Sequence, residues 1–164
     1  RKALGVKTFF NMLGPMVNPA LPKYQLVGVF NLEILRLYSY LYQKSDKKYS
    51  IVHDLGGYDE LSLTNNAKIV SNNTEKIFTP EDLGLDTIDP ISIFGGNSIK
   101  KASEIFKAII MGKGTNEQNM VVCANAGLAI ATAKQITHKE GFEIAKESLF
   151  SGKAKTVLNK LINL

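Results

Sequence analysis

A strand–helix–strand succession near the start of the chain constrains its fold more than any other feature. The run Tyr24-Gln-Leu-Val-Gly-Val-Phe30 is rich in β-branched and aromatic residues and predicts a strand. Residues 32–42 predict a helix, because apolar side chains recur there at helical spacing: Ile34, Leu35, Tyr38, Leu41 and Tyr42. A second strand is predicted over residues 48–53. Two strands joined through a helix form a βαβ unit, expected to be parallel and right-handed, so the sequence predicts an α/β fold.

The second strand leads into a loop that carries two adjacent carboxylates. The stretch reads His53-Asp-Leu-Gly-Gly-Tyr-Asp-Glu-Leu-Ser62, and Gly56 and Gly57 free its backbone from the usual limits. Open α/β sheets bind their ligands at the carboxyl ends of strands. Asp59 and Glu60 are therefore candidate ligands for Mg²⁺, which commonly takes one or two carboxylates together with substrate phosphates. A solvated acidic turn is the alternative interpretation, since such a composition is common in loops.

Short strands continue the chain after this loop. Residues 67–71 and 75–78 predict two strands joined as a hairpin by Asn72-Asn73, because Asn tolerates the left-handed conformation that tight turns need. Thr79-Pro80-Glu81-Asp82 combines the cap residue, first-turn proline and acidic residues of a helix start, and Gly84 is expected to end that helix quickly. The carboxyl-terminal half that follows is predicted to be mainly helical.

Helical periodicity dominates this second half. Residues 120–133 are apolar nearly all round and predict a buried helix, in which Asn125 is expected to form a structural hydrogen bond rather than to act in catalysis. Thr137-His-Lys-Glu140 is a capping box, which places His138 on the surface of a first helical turn. Two further helices are predicted from single apolar stripes: Ile99, Ala102, Phe106, Ile109 and Ile110, then Ala154, Val157, Leu158, Leu161 and Ile162.

The composition excludes several classes of protein. With 164 residues, 45% of them hydrophobic, the chain suits one domain or part of a larger one. Its one cysteine, Cys123, excludes a disulfide framework and a cysteine-built zinc site, and its apolar neighbours are typical of a buried side chain in a reducing, cytoplasmic compartment. No apolar run reaches the roughly 18 residues that a membrane-spanning helix requires, so no membrane partner is expected.

The basic charge is not arranged as a nucleic-acid-binding surface. The formal net charge is +5, and Arg1 and Arg36 are the two arginines among otherwise lysine cations. The lysines are spread along the chain and mostly fall opposite the apolar stripes of the predicted helices, which is typical of solvated faces. Recognition of nucleic acids usually favours clustered arginines with aromatic residues. No nucleic-acid partner is therefore expected.

The segment before the first strand follows neither the helical nor the strand period. It is apolar and contains Gly14-Pro15 and Asn18-Pro19, two dipeptides that mark turns. A free loop of this length would be more polar. The segment is therefore expected to be packed inside the protein or to line a cleft.

This segment and the motifs that follow it resemble those of the anthranilate phosphoribosyltransferases. The run Arg1-Lys-Ala-Leu-Gly-Val-Lys-Thr-Phe-Phe-Asn-Met-Leu-Gly-Pro-Met-Val-Asn-Pro19 is similar to the central signature of that family, a long and specific motif. The resemblance covers essentially the whole chain. Further motifs occur in the family's order: Gln25-Leu-Val-Gly-Val-Phe30, Gly56-Gly-Tyr-Asp-Glu60, Pro80-Glu-Asp-Leu-Gly-Leu85, Gly95-Gly96 and Asn125-Ala126.

The resemblance implies a glycosyltransferase of tryptophan biosynthesis that moves the 5-phosphoribosyl group from phosphoribosyl pyrophosphate to the amine of anthranilate. It places Arg1 against the anthranilate carboxylate and the backbone of Gly14 and Pro15 around the aromatic ring. It makes Asp59 and Glu60 the acids that hold Mg²⁺ on the pyrophosphate. No residue of the chain is assigned as catalytic, because positioning and electrostatics carry most of this chemistry.

The chain also departs from the family pattern. The amino-terminal helical domain, the Gly-rich phosphate loop and a segment containing Lys-His-Gly-Asn would all precede Arg1 and are absent. Lys7 stands where many members have Arg, and Lys101 where many have Asn. Residues 1–164 are thus expected to form the carboxyl-terminal portion of a single α/β domain. The full-length protein is expected to be a homodimer through its missing amino-terminal domain, and this piece alone is expected to be inactive.

The implied fold is that of the phosphoribosyltransferases and nucleoside phosphorylases: a central, largely parallel sheet flanked by helices. Pyrimidine nucleoside phosphorylases share it and are one alternative, against which the Asp-Glu pair and the Asn-x-Leu-Gly-Pro motif argue. A non-catalytic, nucleic-acid-binding relative is the other alternative. It would need a continuous basic groove and would have no use for both acids of the loop.

Overall fold

The structure is a computed structural model and describes Gly14 and residues 16–164. The predicted helix at 32–42 and the predicted strands at 67–71 and 75–78 are confirmed with these bounds. Thr79 starts a short 3₁₀ helix, Pro80–Leu83, and a second one spans Pro90–Ile93. The strands are β1 (Tyr24–Gly28), β2 (Lys48–Asp54), β3 (Ala67–Ser71) and β4 (Glu75–Phe78), and the α-helices are α1 (Leu32–Tyr42), α2 (Ile99–Ile110), α3 (Asn116–Lys134), α4 (His138–Phe150) and α5 (Lys153–Ile162).

The four described strands form one mixed sheet in the order β1-β2-β3-β4. The β1–β2 pair is parallel, as the βαβ unit predicts, whereas β2–β3 and β3–β4 are antiparallel. The expectation of a largely parallel sheet therefore holds only for β1–β2 among these strands. The reason lies in the connections: α1 crosses over between β1 and β2, but residues 55–66 form no helix and a tight hairpin joins β3 to β4, which suits antiparallel neighbours.

Both faces of the sheet are covered, so β2 lies in the interior of the molecule. Alternate side chains of this strand point to opposite sides. Tyr49 and Ile51 pack in a cluster with Tyr38 and Tyr42 of α1. Val52 belongs to the other cluster, which α3 and α4 close from the far side. The result is a helix–sheet–helix layering in which β2 is the central strand.

The predicted buried helix is α3, and it packs closely on α4. Their contact depends on two glycines, because a Cβ on Gly127 would lie 2.6 Å from the Phe142 backbone and a Cβ on Gly141 would lie 2.2 Å from Gly127 O. Close backbone approach of this kind brings α4 against the helix that covers the sheet. Among the described residues, no single helix is both long and apolar enough to cross a membrane; α3 and α4 reach that length and composition only together, across a bend of 118°.

His138 is half-buried, so its predicted surface position is wrong. The capping box of Thr137 and Glu140 forms as predicted, but it fixes only the backbone of the first turn. Because α4 packs so closely on α3, the imidazole Nε2–H reaches Ala124 O at 2.9 Å, and its ring lies 5.1 Å from the Phe78 ring. Burial lowers the pKa of His138 below its ordinary value.

Candidate functional site

The structure places the paired carboxylates where ligands of α/β sheets usually bind. We call residues 55–60 the acid loop; it leaves the carboxyl end of β2 beside the carboxyl end of its parallel neighbour β1. Asp59 and Glu60 are both exposed in this loop. Side chains on such a loop can reach a ligand that lies over the edge of the sheet.

Two glycines shape the start of the acid loop. Gly57 has a φ of 101°, a conformation that other residues rarely adopt, and its N–H donates to Asp54 O at 2.9 Å. Gly56 is needed for space, since a Cβ there would lie 2.3 Å from Asn65 Nδ2. The turn closes when Asp54 N–H donates to Tyr58 O at 3.0 Å. The loop is therefore a built turn rather than an unrestrained connection.

Asp54 anchors the acid loop from inside the core, a role that the sequence reasoning missed. Its side chain is fully buried, at 0% exposure. Oδ1 accepts from Gly56 N–H at 2.7 Å, and Oδ2 accepts from Ser62 N–H at 3.2 Å and from Ser62 Oγ at 2.6 Å. A buried carboxylate is tolerated only when it is hydrogen-bonded in this way. The sequence contained a signal for this role. Asp54 ends a buried strand shortly before Gly56 and Gly57, and two residues with hydroxyl groups, Ser62 and Thr64, follow the loop.

The far side of the acid loop rests on the end of β1. A Cβ built on Gly28 would lie 1.7 Å from Asp59 O, so the loop backbone occupies the space of a side chain there. The two strand ends are tied together next to this contact, because Val29 N–H donates to Val52 O at 2.9 Å and His53 Nδ1 hydrogen-bonds Val29 O at 2.8 Å. Gly28 was part of a recognised motif, but its contact with Asp59 is visible only in three dimensions.

Asn125 of α3 holds the end of the acid loop. Its Oδ1 accepts from Leu61 N–H at 2.9 Å, and its Nδ2 donates to Leu61 O at 2.8 Å and to Val121 O at 2.9 Å. The prediction that Asn125 forms a structural hydrogen bond is thus confirmed. The partner is the residue directly after Glu60, so the bond connects the buried helix to the carboxylate pair.

The predicted anthranilate-binding residues are only partly within the described chain. Gly14 lies in an exposed turn, two residues before Met16, which packs against the cluster beneath α1. Arg1 and Pro15 lie outside the described residues. The roles expected for Arg1 at the anthranilate carboxylate and for Pro15 at the aromatic ring therefore remain predictions.

The acid loop fits Mg²⁺ better than a metal held by protein groups alone. In the described part of the chain, no group of three or more His, Cys, Asp or Glu side chains could hold a metal ion. Asp59 and Glu60 offer adjacent, exposed oxygens, and Mg²⁺ is typically bound through one or two carboxylates with substrate phosphates and water completing its shell. The donor set therefore suits a magnesium ion that arrives with a phosphorylated ligand.

A cavity of about 380 Å³ lies toward the amino end of β2, away from the acid loop, and is lined by apolar as well as polar side chains. Several of its polar groups are already paired with one another: the Thr132 and Ser50 hydroxyls at 2.8 Å, and the Ser71 and Thr74 hydroxyls at 2.8 Å. Tyr49 Oη and His138 Nδ1, whose residues also line the cavity, have no hydrogen-bond partner among the described residues. In the part of the chain that the structure describes, the cavity contains no pair of exposed carboxylates at the carboxyl ends of strands, and the acid loop is therefore the better candidate for a phosphorylated ligand.

Known proteins resemble this chain over its whole length. It is 56% identical over 164 residues to the anthranilate phosphoribosyltransferase of Flavobacterium psychrophilum and 57% identical to that of Christiangramia forsetii, covering 100% of this chain and 50% of each relative. The chain thus spans about half the length of the curated relatives it matches.

Solved structures show the same fold. Anthranilate phosphoribosyltransferase from Thermus thermophilus superposes with a TM-score of 0.87 at 30% identity, over 98% of this chain and 48% of that one. The Saccharomyces cerevisiae enzyme in complex with PRPP and Mg superposes with a TM-score of 0.88 at 23% identity, over 99% of this chain and 47% of that one. The sequence profile described as "Glycosyl transferase family, a/b domain" matches residues 1–155, and the chain therefore belongs to that family.

Proposed function

We propose that the protein containing this chain is a cytoplasmic anthranilate phosphoribosyltransferase of tryptophan biosynthesis. It transfers the 5-phosphoribosyl group of phosphoribosyl pyrophosphate to the amine of anthranilate. The observation that carries this proposal is the exposed Asp59–Glu60 pair at the carboxyl edge of the parallel β1–β2 pair, in a chain 56% identical to a protein of that name. Because the chain covers half of such relatives, the activity is proposed for the whole protein.

Asp59 and Glu60 are the residues that would hold Mg²⁺ on the pyrophosphate. The bound ion would neutralise the negative charge that develops on the departing pyrophosphate. The contribution of the chain is positional: Asp54, through its bonds to Gly56 and Ser62, keeps the two acids at the edge of the sheet. Exposed carboxylates can approach a phosphorylated ligand without the cost of desolvating a buried charge.

Arg1, Gly14 and Pro15 would form the anthranilate side of the site. The planar guanidinium of Arg1 suits a carboxylate, which it can grip through two parallel hydrogen bonds. The exposed turn at Gly14 leaves its backbone accessible to a flat aromatic ring. The acceptor amine needs no covalent help from the protein, so holding the two substrates together is the main task of the site.

The chain would be the carboxyl-terminal portion of one larger α/β domain. The strand β1 lies at the edge of the four-stranded sheet, and its pairing with β2 is parallel. We infer that further parallel strands from the rest of the protein join this edge, which would give the largely parallel sheet of phosphoribosyltransferases and nucleoside phosphorylases. A homodimer formed through the preceding helical domain completes the proposal.

The test is an activity assay on the full-length protein that contains this sequence. Loss of anthranilate is followed by its fluorescence, with phosphoribosyl pyrophosphate and Mg²⁺ present. Asp59→Asn is expected to lower kcat by about a hundredfold, the size of a lost electrostatic stabiliser. Asp46→Asn, an exposed carboxylate at the other end of β2, is the matched control and should retain full activity.

Three results would count against the proposal: no transfer by the full-length protein, equal losses in Asp59→Asn and Asp46→Asn, or transfer by residues 1–164 alone at the rate of the whole protein. In the same assay, Arg1→Ala should raise the KM for anthranilate about 10- to 150-fold, because a charge-assisted hydrogen-bonded pair contributes about 1.5–3 kcal/mol. The KM for phosphoribosyl pyrophosphate should change little.

A further inference from the structure

We propose that Gly28 and Asn125 are positioning residues that fix Asp59 and Glu60 from opposite sides of the acid loop. Gly28 belongs to β1 and Asn125 to α3, so the carboxylate pair is set by two elements that lie far apart in the sequence. The inference rests on the proposed function, because it concerns how the two acids are presented to Mg²⁺. Neither residue is expected to touch the ligand.

The Asn125 side of this arrangement is specific to an asparagine. The side-chain amide pairs with both backbone groups of Leu61, accepting from its N–H at 2.9 Å and donating to its O at 2.8 Å. The second Nδ2 hydrogen goes to Val121 O, within α3 itself. An aspartate of the same size would keep the acceptor but would turn an oxygen toward Leu61 O in place of a donor. The backbone directly after Glu60 is therefore locked to a helix of the core.

The Gly28 side depends on the absence of a side chain. A Cβ at this position would lie 1.7 Å from Asp59 O and 2.8 Å from Asp59 C, both of them backbone atoms. Such a contact cannot be relieved by rotating a side chain, so any other residue at position 28 would push the Asp59 backbone away from β1. The acid loop sits where it does because Gly28 leaves that space open.

Only a short stretch of backbone separates the two contacts. Asp59 is held against β1, Leu61 is held against α3, and Glu60 lies between them. The carboxylates themselves are exposed, so their location is set by this backbone. Disturbing either contact should therefore change the affinity for Mg²⁺ with the pyrophosphate while leaving the anthranilate side unaffected.

The contact at α3 is tested directly by hydrogen exchange of the Leu61 amide in the full-length protein. Asn125→Asp is expected to speed this exchange about tenfold or more, because the amide clamp is lost. Asn119→Leu is the matched control: Asn119 is also a buried amide of α3, but its Nδ2 donates to Gly114 O, away from the acid loop. Unchanged Leu61 exchange in Asn125→Asp, or equal acceleration in Asn119→Leu, overturns the inference.

The consequence for the site is tested by the Mg²⁺ dependence of activity. Asn125→Asp and Gly28→Ala should each raise the Mg²⁺ concentration for half-maximal rate about three- to tenfold, with an unchanged KM for anthranilate. Gly95→Ala is the control for Gly28→Ala, since a Cβ at Gly95 meets nothing within 4 Å. A shift in both test variants but in neither control supports the inference. The inference is overturned if only one test variant shows the shift in Mg²⁺ concentration, if neither does, or if the controls shift equally.

These outcomes are separable from the proposed function. If the full-length protein does not transfer phosphoribose to anthranilate at all, the proposed function fails, while the exchange experiment still reports whether Asn125 holds Leu61. The other case is that transfer occurs and depends on Asp59, while substitutions of Gly28 and Asn125 leave the Mg²⁺ concentration for half-maximal rate unchanged. In that case the proposed function stands and this inference fails.

Discussion

The helices α2 and α3 are both rich in apolar residues but differ in how far those residues are buried. In α2 the apolar residues form a sharp stripe, yet within the described part of the chain none of its residues is buried, and Ile99 is 91% exposed. In α3 the apolar residues run nearly all round, and eight of its 19 residues are buried. Helix α2 thus has the clearer amphipathic pattern, but its apolar face is less covered than that of α3.

The difference lies in what each helix packs against. Helix α3 has the sheet on one side and α4 on the other, and Cys123, Ala124 and Leu128 belong to the core cluster with Phe142. A stripe such as that of α2 tells which face would be buried, but burial needs a partner surface. Stability and the geometry of the acid loop are therefore expected to depend on α3 and hardly on α2.

The largest difference in the free energy of unfolding is expected between substitutions of two phenylalanines. Phe142 faces α3 at 1% exposure, whereas Phe106 of α2 is 52% exposed. Phe142→Ala should lower the free energy of unfolding by about 3–5 kcal/mol, because it removes a large buried side chain and leaves a cavity. Phe106→Ala should change it by at most about 0.5 kcal/mol. Urea denaturation of the 164-residue chain measures both, and equal losses would show that the face of α2 is covered.

A smaller effect is expected from the buried anchor of the acid loop. Asp54→Ala leaves the N–H of Gly56 and the N–H and hydroxyl of Ser62 without their acceptor. Hydrogen bonds to a charged group are worth about 1.5–3 kcal/mol, so a loss of about 2–3 kcal/mol is expected. The exposed Asp46, changed to Ala, is the matched control. Thermal unfolding that does not separate the two variants would contradict the role given to Asp54.

A pH-dependent effect should arise where α4 meets α3. Burial lowers the pKa of His138 in the folded state, with Lys76 acting in the same direction and the Ala124 carbonyl and Asp82 opposing it. The unfolded chain therefore binds a proton first, near the ordinary value of about 6.5. Stability should fall as the pH drops from about 6.5 through the lower folded pKa.

His138→Gln should remove this part of the pH dependence, measured as Tm between pH 8 and pH 5. The glutamates whose pKa values are lowered, such as Glu140 and Glu147, bear on a different window. Their contribution is present above their ordinary pKa and is lost only as the pH falls further, through the lowered folded values. A Tm that is flat above pH 5 in the unmodified protein would contradict the burial of His138.

Thiol labelling compares the two helices without relying on a change in stability. Cys123 of α3 is buried at 1% exposure, and burial raises the pKa of its thiol to about 11. The folded protein should thus react with a thiol reagent at pH 8 only as fast as it unfolds. A cysteine introduced by Ala102→Cys in α2, at an exposed position, should react at once. Rapid labelling of the unmodified protein would contradict the packing of α3.

Local features of the sequence predicted the elements well. Helix α1, the hairpin strands β3 and β4 and the capping box of Thr137 and Glu140 depend on neighbouring residues, so their patterns could be recognised directly. Asn125 was also assigned correctly to a structural hydrogen bond, since a polar residue in an apolar helix needs a partner. The sequence did not reveal that the partner is Leu61, because that pairing joins residues distant in the chain.

The misjudged features all depend on what packs from elsewhere. Asp54 is charged and was not singled out, yet Ser62 brings donors that allow its burial. The surface prediction for His138 considered only its own turn, whereas Ala124 and Phe78 cover the ring. The contact of Gly28 with Asp59 likewise follows from the meeting of β1 with the acid loop. Local periodicity contains no information on such neighbours.

Isothermal titration calorimetry can show whether Mg²⁺ and a pyrophosphate bind together at the acid loop. Phosphoribosyl pyrophosphate is titrated into the full-length protein with and without Mg²⁺, alongside a variant combining Asp59→Asn with Glu60→Gln and the Asp46→Asn control. We expect Mg²⁺ to tighten the binding of phosphoribosyl pyrophosphate at least about tenfold in the unmodified protein and in the control. The double variant should lose this gain. Equal tightening in the double variant would show that Asp59 and Glu60 do not hold the ion.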